Sequence, residues 1–152
     1  MIWTEVRPGQ CGTNNISTYC VAKTSSHGCV PSISTLGAPS MTIGSGFTIQ
    51  ANSTEPGNPG VFLYSTTGAA ATPFSGGILC LQPVVKRLHT IIGGGTAACS
   101  GVLSLEFNAA LATTTNPALV AGANVFGQFW FRDPPASFGS GLSNAVKFHI
   151  CS

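Results

Sequence analysis

Along most of this chain the apolar positions recur with a period of two. Phe47, Ile49 and Ala51 alternate with Thr48 and Gln50. Leu103, Leu105 and Phe107 alternate with Ser104, Glu106 and Asn108, and Val146, Phe148 and Ile150 with Lys147, His149 and Cys151. Successive side chains of a strand point to opposite faces, so the pattern predicts strands with one face on a core. Further strands are expected over 30–35, 61–65, 77–82, 86–92 and 125–132. Turn signals separate them, among them Glu55-Pro56-Gly57-Asn58-Pro59-Gly60, Gly93-Gly94-Gly95 and Asp133-Pro134-Pro135. The nearest approach to a helical period lies over 105–113, which can close as a short helical turn after a strand. About eight or nine strands at this spacing predict a single all-β domain, an antiparallel β-sandwich or jelly roll over residues 16–152. Residues 1–15 differ, being polar and Gly-containing behind a short apolar start, and read as an extended N-terminal arm.

Composition adds a constraint. Charged residues make up 7% of the chain, and 16 Ser and 16 Thr stand in for Lys and Glu as the polar residues. Soluble domains usually carry about 25% charge. Sheet edges are commonly blunted by charge, Pro or bulges, and with so few charges the edges here need cover from glycans, loops or another chain. Asn15-Ile16-Ser17 and Asn52-Ser53-Thr54 match the N-glycosylation acceptor pattern, making Asn15 and Asn52 candidate attachment points. A net charge of +2, with Lys86-Arg87 as the one basic doublet, does not suggest nucleic acid or an anionic membrane. No apolar run approaches the roughly 20 residues of a membrane helix. Met1-Ile2-Trp3-Thr4-Glu5 lacks the basic start and apolar stretch of a signal peptide, so a leader or larger precursor is expected to have been removed.

Cys11, Cys20, Cys29, Cys80, Cys99 and Cys151 form an even set spread from end to end, without partnering His or acidic clusters. An oxidised framework in a secreted protein explains them. Fifteen connectivities are open to six cysteines. The layout favours two local staples, Cys20–Cys29 and Cys80–Cys99, and leaves Cys11 for Cys151. In the chain-entropy account the short loops contribute about 3 kcal/mol each and the long closure nearer 5.

The run Tyr19-Cys20-Val21-Ala22-Lys23, then Gly28-Cys29-Val30-Pro31-Ser32-Ile33, continues through Pro59-Gly60-Val61-Phe62-Leu63-Tyr64-Ser65 and Pro73-Phe74-Ser75-Gly76-Gly77-Ile78-Leu79-Cys80. It resumes at Cys99-Ser100-Gly101-Val102 and closes with Gln128-Phe129-Trp130-Phe131-Arg132-Asp133-Pro134 and Leu142-Ser143-Asn144-Ala145-Val146-Lys147-Phe148-His149-Ile150-Cys151. Over residues 19–151 this order resembles a cysteine-containing, carboxyl-terminal-type β domain of secreted planctomycete and myxobacterial proteins. The resemblance implies an exported bacterial β domain with no assigned activity. Asn144 stands where that family typically has Asp, which weakens the idea of a metal there. The chain also shows a short arm in place of a large upstream region, which suggests a subunit rather than an appendage.

The acids are Glu5, Glu55, Glu106 and Asp133. A glycoside hydrolase needs two carboxylates facing each other across about 5–9.5 Å. Glu106 and Asp133 are the one pair near strands that can be neighbours, but Asp133 is better placed to cap a turn or pair with Arg132. His27, His89 and His149 lack metal-ligand spacing, and His149 reads as a sheet-face histidine. No Gly-x-Ser-x-Gly elbow occurs, and Gly93-Gly94-Gly95 lacks the Lys-Ser/Thr of a phosphate loop. No enzyme activity and no cofactor is expected. Phe126, Gln128, Trp130 and Arg132 share one strand face. Exposed, Trp130 with Gln128 and Arg132 would form a carbohydrate platform; the competing reading buries Trp130 and leaves Arg132 to end the strand.

The sequence therefore leads to a non-catalytic extracellular or cell-surface structural subunit, whose partners are copies of itself and glycans. It would self-associate into a layer or filament through the arm around Ile2, Trp3, Thr4, Glu5 and Val6, added as a strand to the next copy. The alternative is a secreted carbohydrate-binding or adhesive module using Trp130 or the loop aromatics Phe74 and Phe138.

Overall fold

The computed structural model describes residues 15–151. Among them run β1 (Ser17–Tyr19), β2 (Ser32–Gly37), β3 (Phe47–Thr54), β4 (Pro59–Ser65), β5 (Ala69–Phe74), β6 (Gly77–Leu81), β7 (Lys86–Ile92), β8 (Gly101–Glu106), α1 (Phe107–Thr113), β9 (Asn124–Arg132) and β10 (Ser140–His149). They form a five-stranded sheet in the order β1-β10-β9-β4-β7, a three-stranded sheet β2-β3-β8, and the hairpin β5-β6. Every strand pairing is antiparallel. The domain is all-β and sandwich-like, as the alternation predicts.

The alternating residues make the core. Phe62, Phe129, Phe131, Val146 and Phe148 of the larger sheet meet Phe47, Ile49, Leu103 and Leu105 of the smaller one, with Phe107 and Leu111 of α1 closing one end. Phe148 makes edge-to-face contacts with Phe47 at 5.0 Å and Phe107 at 5.1 Å. Full burial of each such ring contributes about 1.5–3 kcal/mol. The Phe62 ring lies on the backbone of Gly127, where a Cβ would sit 2.0 Å from Phe62 Cζ, so this central strand position admits no side chain.

α1 starts where β8 ends because Glu106 caps it. The carboxylate accepts from Asn108 N at 2.9 Å and Ala109 N at 3.4 Å, and also from Gly46 N. Buried Asn108 then holds the loop after β2: its Oδ1 accepts from Ser40 N at 2.9 Å and its Nδ2 donates to Ala38 O and Ser45 O, both at 3.1 Å.

In β10 the register with β9 shifts between Leu142 and Ala145. The bulge turns Asn144 toward the other sheet, where its Oδ1 accepts from Ile33 N at 2.8 Å. A neutral amide at this position thus joins the two sheets. The strands absent from the sequence reading are β1 and β5. β1 has three residues, too few to show a period, and β5 reads Ala-Ala-Ala-Thr-Pro-Phe, whose Pro73 and lack of alternation argue against a strand.

The cysteine pairing differs from the local staples expected. Cys20 bonds Cys80 and Cys29 bonds Cys99, with Cα separations of 6.3 and 5.4 Å. The reason lies in the segment between Cys20 and Cys29, which is no simple turn. Lys23 N donates to Leu142 O at 3.0 Å, and buried Lys23 Nζ donates to Ser75 O at 2.9 Å, Ser137 O at 2.5 Å and Ser140 O at 2.6 Å. The chain is drawn across one end of the sandwich, so the two cysteines meet different neighbours. Cys20 ends β1 beside the hairpin, where Tyr19 Oη donates to Cys80 O at 2.7 Å. Cys151 is also disulfide-bonded, and Cys11 of the expected third pair lies outside the described residues.

Peptide mapping without reduction is expected to recover Cys20 linked to Cys80 and Cys29 linked to Cys99. With partners 60 and 70 positions apart in sequence, replacing either pair by serine is expected to cost about 4 kcal/mol in denaturant unfolding. Recovery of Cys20–Cys29 would overturn the topology. Burial also pushes the Tyr19 phenol up to about 12 from 10.0. The folded state therefore holds the neutral phenol in the range where the unfolded chain ionises. This contribution is intact below about pH 10 and lost as pH rises through about 12. Tyr19→Phe is expected to flatten the alkaline decline in stability, and phenolate absorbance should show one tyrosine titrating late.

Candidate functional site

The outer face of the five-stranded sheet is divided by the β5-β6 hairpin, which covers one part and leaves a groove over the rest. Under the hairpin, Val61, Leu63 and Leu81 form a second apolar cluster, flanked by Leu79, Val85, Phe126 and Trp130. Gln128 lies beneath this cover and is 0% exposed. Its Oε1 accepts from Cys80 N at 3.0 Å, while Nε2 donates to Ile78 O at 3.0 Å and to Ser143 O at 2.7 Å. Gln128 is thus a clamp between β6, β9 and the β10 bulge. Of the two readings of this strand face, Gln128 follows the buried one and is no surface sugar contact, because the hairpin, whose first strand the sequence hides, lies on top of it.

Trp130 lies at the margin of the hairpin and Arg132 outside it. The Trp130 ring is half-buried and meets Phe74 edge-to-face at 5.4 Å. Its indole Nε1 is buried without an acceptor. Arg132 is exposed. Both line a groove of about 460 Å³ with Pro59, Val61, Arg87 and Thr90. Arg87 and Thr90 reach the same side because of an irregularity in β7: Val61 pairs with Thr90 and Leu63 with Arg87, so three steps along β7 match two along β4. Leu88 and Ile91 then turn inward to the main core. A strict period of two places Arg87 and Thr90 on opposite faces, so the alternation alone could not find this pairing.

Neither arginine has a carboxylate partner among the described residues, since each described acid is engaged elsewhere. Glu106 caps α1. Glu55 accepts from Ser25 Oγ at 2.7 Å and lies 2.7 Å from His27 Nδ1. Asp133 accepts from Ser26 N at 2.8 Å and Ser26 Oγ at 2.6 Å rather than pairing with Arg132. The loop drawn across the sandwich end brings Ser26 to it. These contacts fasten the segment between Cys20 and Cys29. Among the described residues no three His, Cys, Asp or Glu side chains gather as a metal site.

Of the other candidates, Asn15 Nδ2 lies 3.4 Å from His149 Nε2, and Asn52 Nδ2 donates to Ser34 Oγ at 3.2 Å on the outer face of the three-stranded sheet. Phe138 is 78% exposed, in a left-handed conformation (φ 61°) within the 3-10 turn Ser137–Gly139. The arm residues Ile2, Trp3, Thr4, Glu5 and Val6 lie outside the described residues.

The sheet edges differ in protection. β7 carries Lys86, Arg87 and its irregular register, and β1 is three residues long. β2, at the edge of the three-stranded sheet, pairs with β3 in unbroken register from Ser32 to Gly37 and has no charge and no proline. Because Ile33 N points away from β3 to Asn144, alternation turns the Thr35 N–H outward as well. Leu36 beside it is 66% exposed, with Val30 at 60% and Ile43 at 60% close in sequence.

No family model, no curated protein and no solved structure matches this chain. No helix among the described residues is long and apolar enough to cross a membrane.

Gln128→Leu keeps the volume but leaves Cys80 N–H and the Ile78 and Ser143 carbonyls buried without partners. The expected cost is about 2–4 kcal/mol in urea unfolding. A loss below about 1 kcal/mol would show that the hairpin is held by its apolar contacts and disulfide alone.

Proposed function

We propose that the protein is a non-catalytic extracellular structural subunit that assembles with copies of itself by strand addition. The observation that carries this reading is the β2 edge beyond Ile33: uncharged, unbulged, with the Thr35 N–H turned outward and Leu36 exposed. Monomeric proteins protect such edges, since they template pairing with another chain. The added strand is the apolar start of the arm, Ile2–Val6, of a neighbouring copy. A head-to-tail contact of this kind propagates into a layer or filament unless its rotation closes a ring. The extracellular setting is supported by the disulfides, which persist in oxidising compartments. Glycan at Asn52 would cover the polar outer face next to the same edge.

Thr35→Pro removes one outward N–H without removing a bond to β3, so it blocks an added strand while the internal ladder stays intact. Light scattering and negative-stain imaging are expected to show assemblies of the parent protein, and monomers both for Thr35→Pro and after deletion of residues 1–10. A parent that stays monomeric at high concentration sinks the proposal. Assembly that survives Thr35→Pro removes β2 from it.

A further inference from the structure

We propose that the groove over β4, β7 and β9 binds an extended acidic polysaccharide, with Arg87 and Arg132 each holding an acidic group and Trp130 supplying the floor between them. The site is in the larger sheet, away from the β2 edge, and does not rest on the assembly reading.

Three features carry the inference. The first is unbalanced charge. Two of the three arginines in the chain line one groove, and the described carboxylates are all committed elsewhere. A guanidinium fork presents paired donors that match a planar carboxylate or a sulfate ester, so an arginine without a partner among the described residues can take one from a ligand.

The second is spacing. β7 and β9 are separated by β4, which sets them about 10 Å apart. Arg87 lies level with Leu63 and Gln128, four residues along β9 from Arg132. The two Cα atoms are therefore on the order of 15 Å apart by strand geometry. That exceeds one sugar ring and suits a chain bearing an acidic group on successive units. A single small anion would reach one arginine only.

The third is the floor. Half-buried Trp130, backed by buried Val61, gives an apolar surface between the charges, and Thr90 adds a hydroxyl donor and acceptor. A flat indole beside hydrogen-bonding groups is the usual way to hold the apolar face of a pyranose.

Affinity electrophoresis and calorimetry with polygalacturonate, dextran sulfate and neutral dextran test the proposal. The parent protein is expected to bind at least one of the two acidic polymers and not dextran, more weakly as salt rises. Arg87→Gln and Arg132→Gln should each weaken binding at least tenfold, whereas Lys147→Gln, on the exposed side of β10, should leave it unchanged. Which polymer binds identifies the acidic group as carboxylate or sulfate. Failure to bind either polymer overturns the proposal, as does equal weakening by Lys147→Gln, which would mark adsorption by general charge. Arg132→Lys keeps the charge without the fork and is expected to fall between parent and Arg132→Gln. Light scattering on the same variants should show the parent's oligomeric state, so a failed groove and a failed assembly are read separately.

Discussion

The amide of Gln128 is the constraint on which the architecture turns. A five-stranded sheet with apolar residues on both faces needs cover on both sides, and the three-stranded sheet supplies only one. The β5-β6 hairpin covers part of the other, although its first strand offers little apolar surface. Gln128 makes the cover specific, holding one donor and one acceptor of β6 and one carbonyl of the β10 bulge. The same bulge aims Asn144 at β2. One irregularity therefore joins three layers, and each polar group it buries is partnered.

This dependence follows from the scarcity of charge. The buried charged groups are held largely by neutral partners: Asp133 by the Ser26 N–H and hydroxyl, Glu55 by the Ser25 hydroxyl beside His27, and the Lys23 ammonium by three backbone carbonyls. Such partners are geometric. They fix the 3-10 turn, the hairpin tip and the start of β10 relative to one another, so the sandwich end is set by where carbonyls point.

The sequence displays the strands whose one face is core and whose length exceeds four or five residues, because alternation needs several repeats to show. Thus β2, β3, β4, β6, β7, β8 and β9 are legible within about three residues, β10 in its second half only, and the short helical turn as well. β1 and β5 are hidden, one by brevity and the other by proline. The hidden β5 has a cost for the site: without the hairpin, Gln128 reads as exposed, and the cysteines read as closing the loops they border. The groove was half legible. Trp130 and Arg132 follow from the period of β9, but Arg87 and Thr90 depend on an irregular register that no local pattern announces. The open part of the β2 edge, beyond the Ile33 N–H that Asn144 takes, could be anticipated from composition in general but not assigned to a strand.

The Cys20–Cys80 bond has a mechanical consequence. A force that peels β1 from β10 can run over only a few residues, on the order of 15 Å of slack. Beyond Cys20 the load passes through sulfur into β6, and from there into the sheet that Gln128 holds to it. The three-residue strand then acts as a short fuse ahead of a covalent stop, and tension is spread over the whole sandwich instead of unzipping it from one margin.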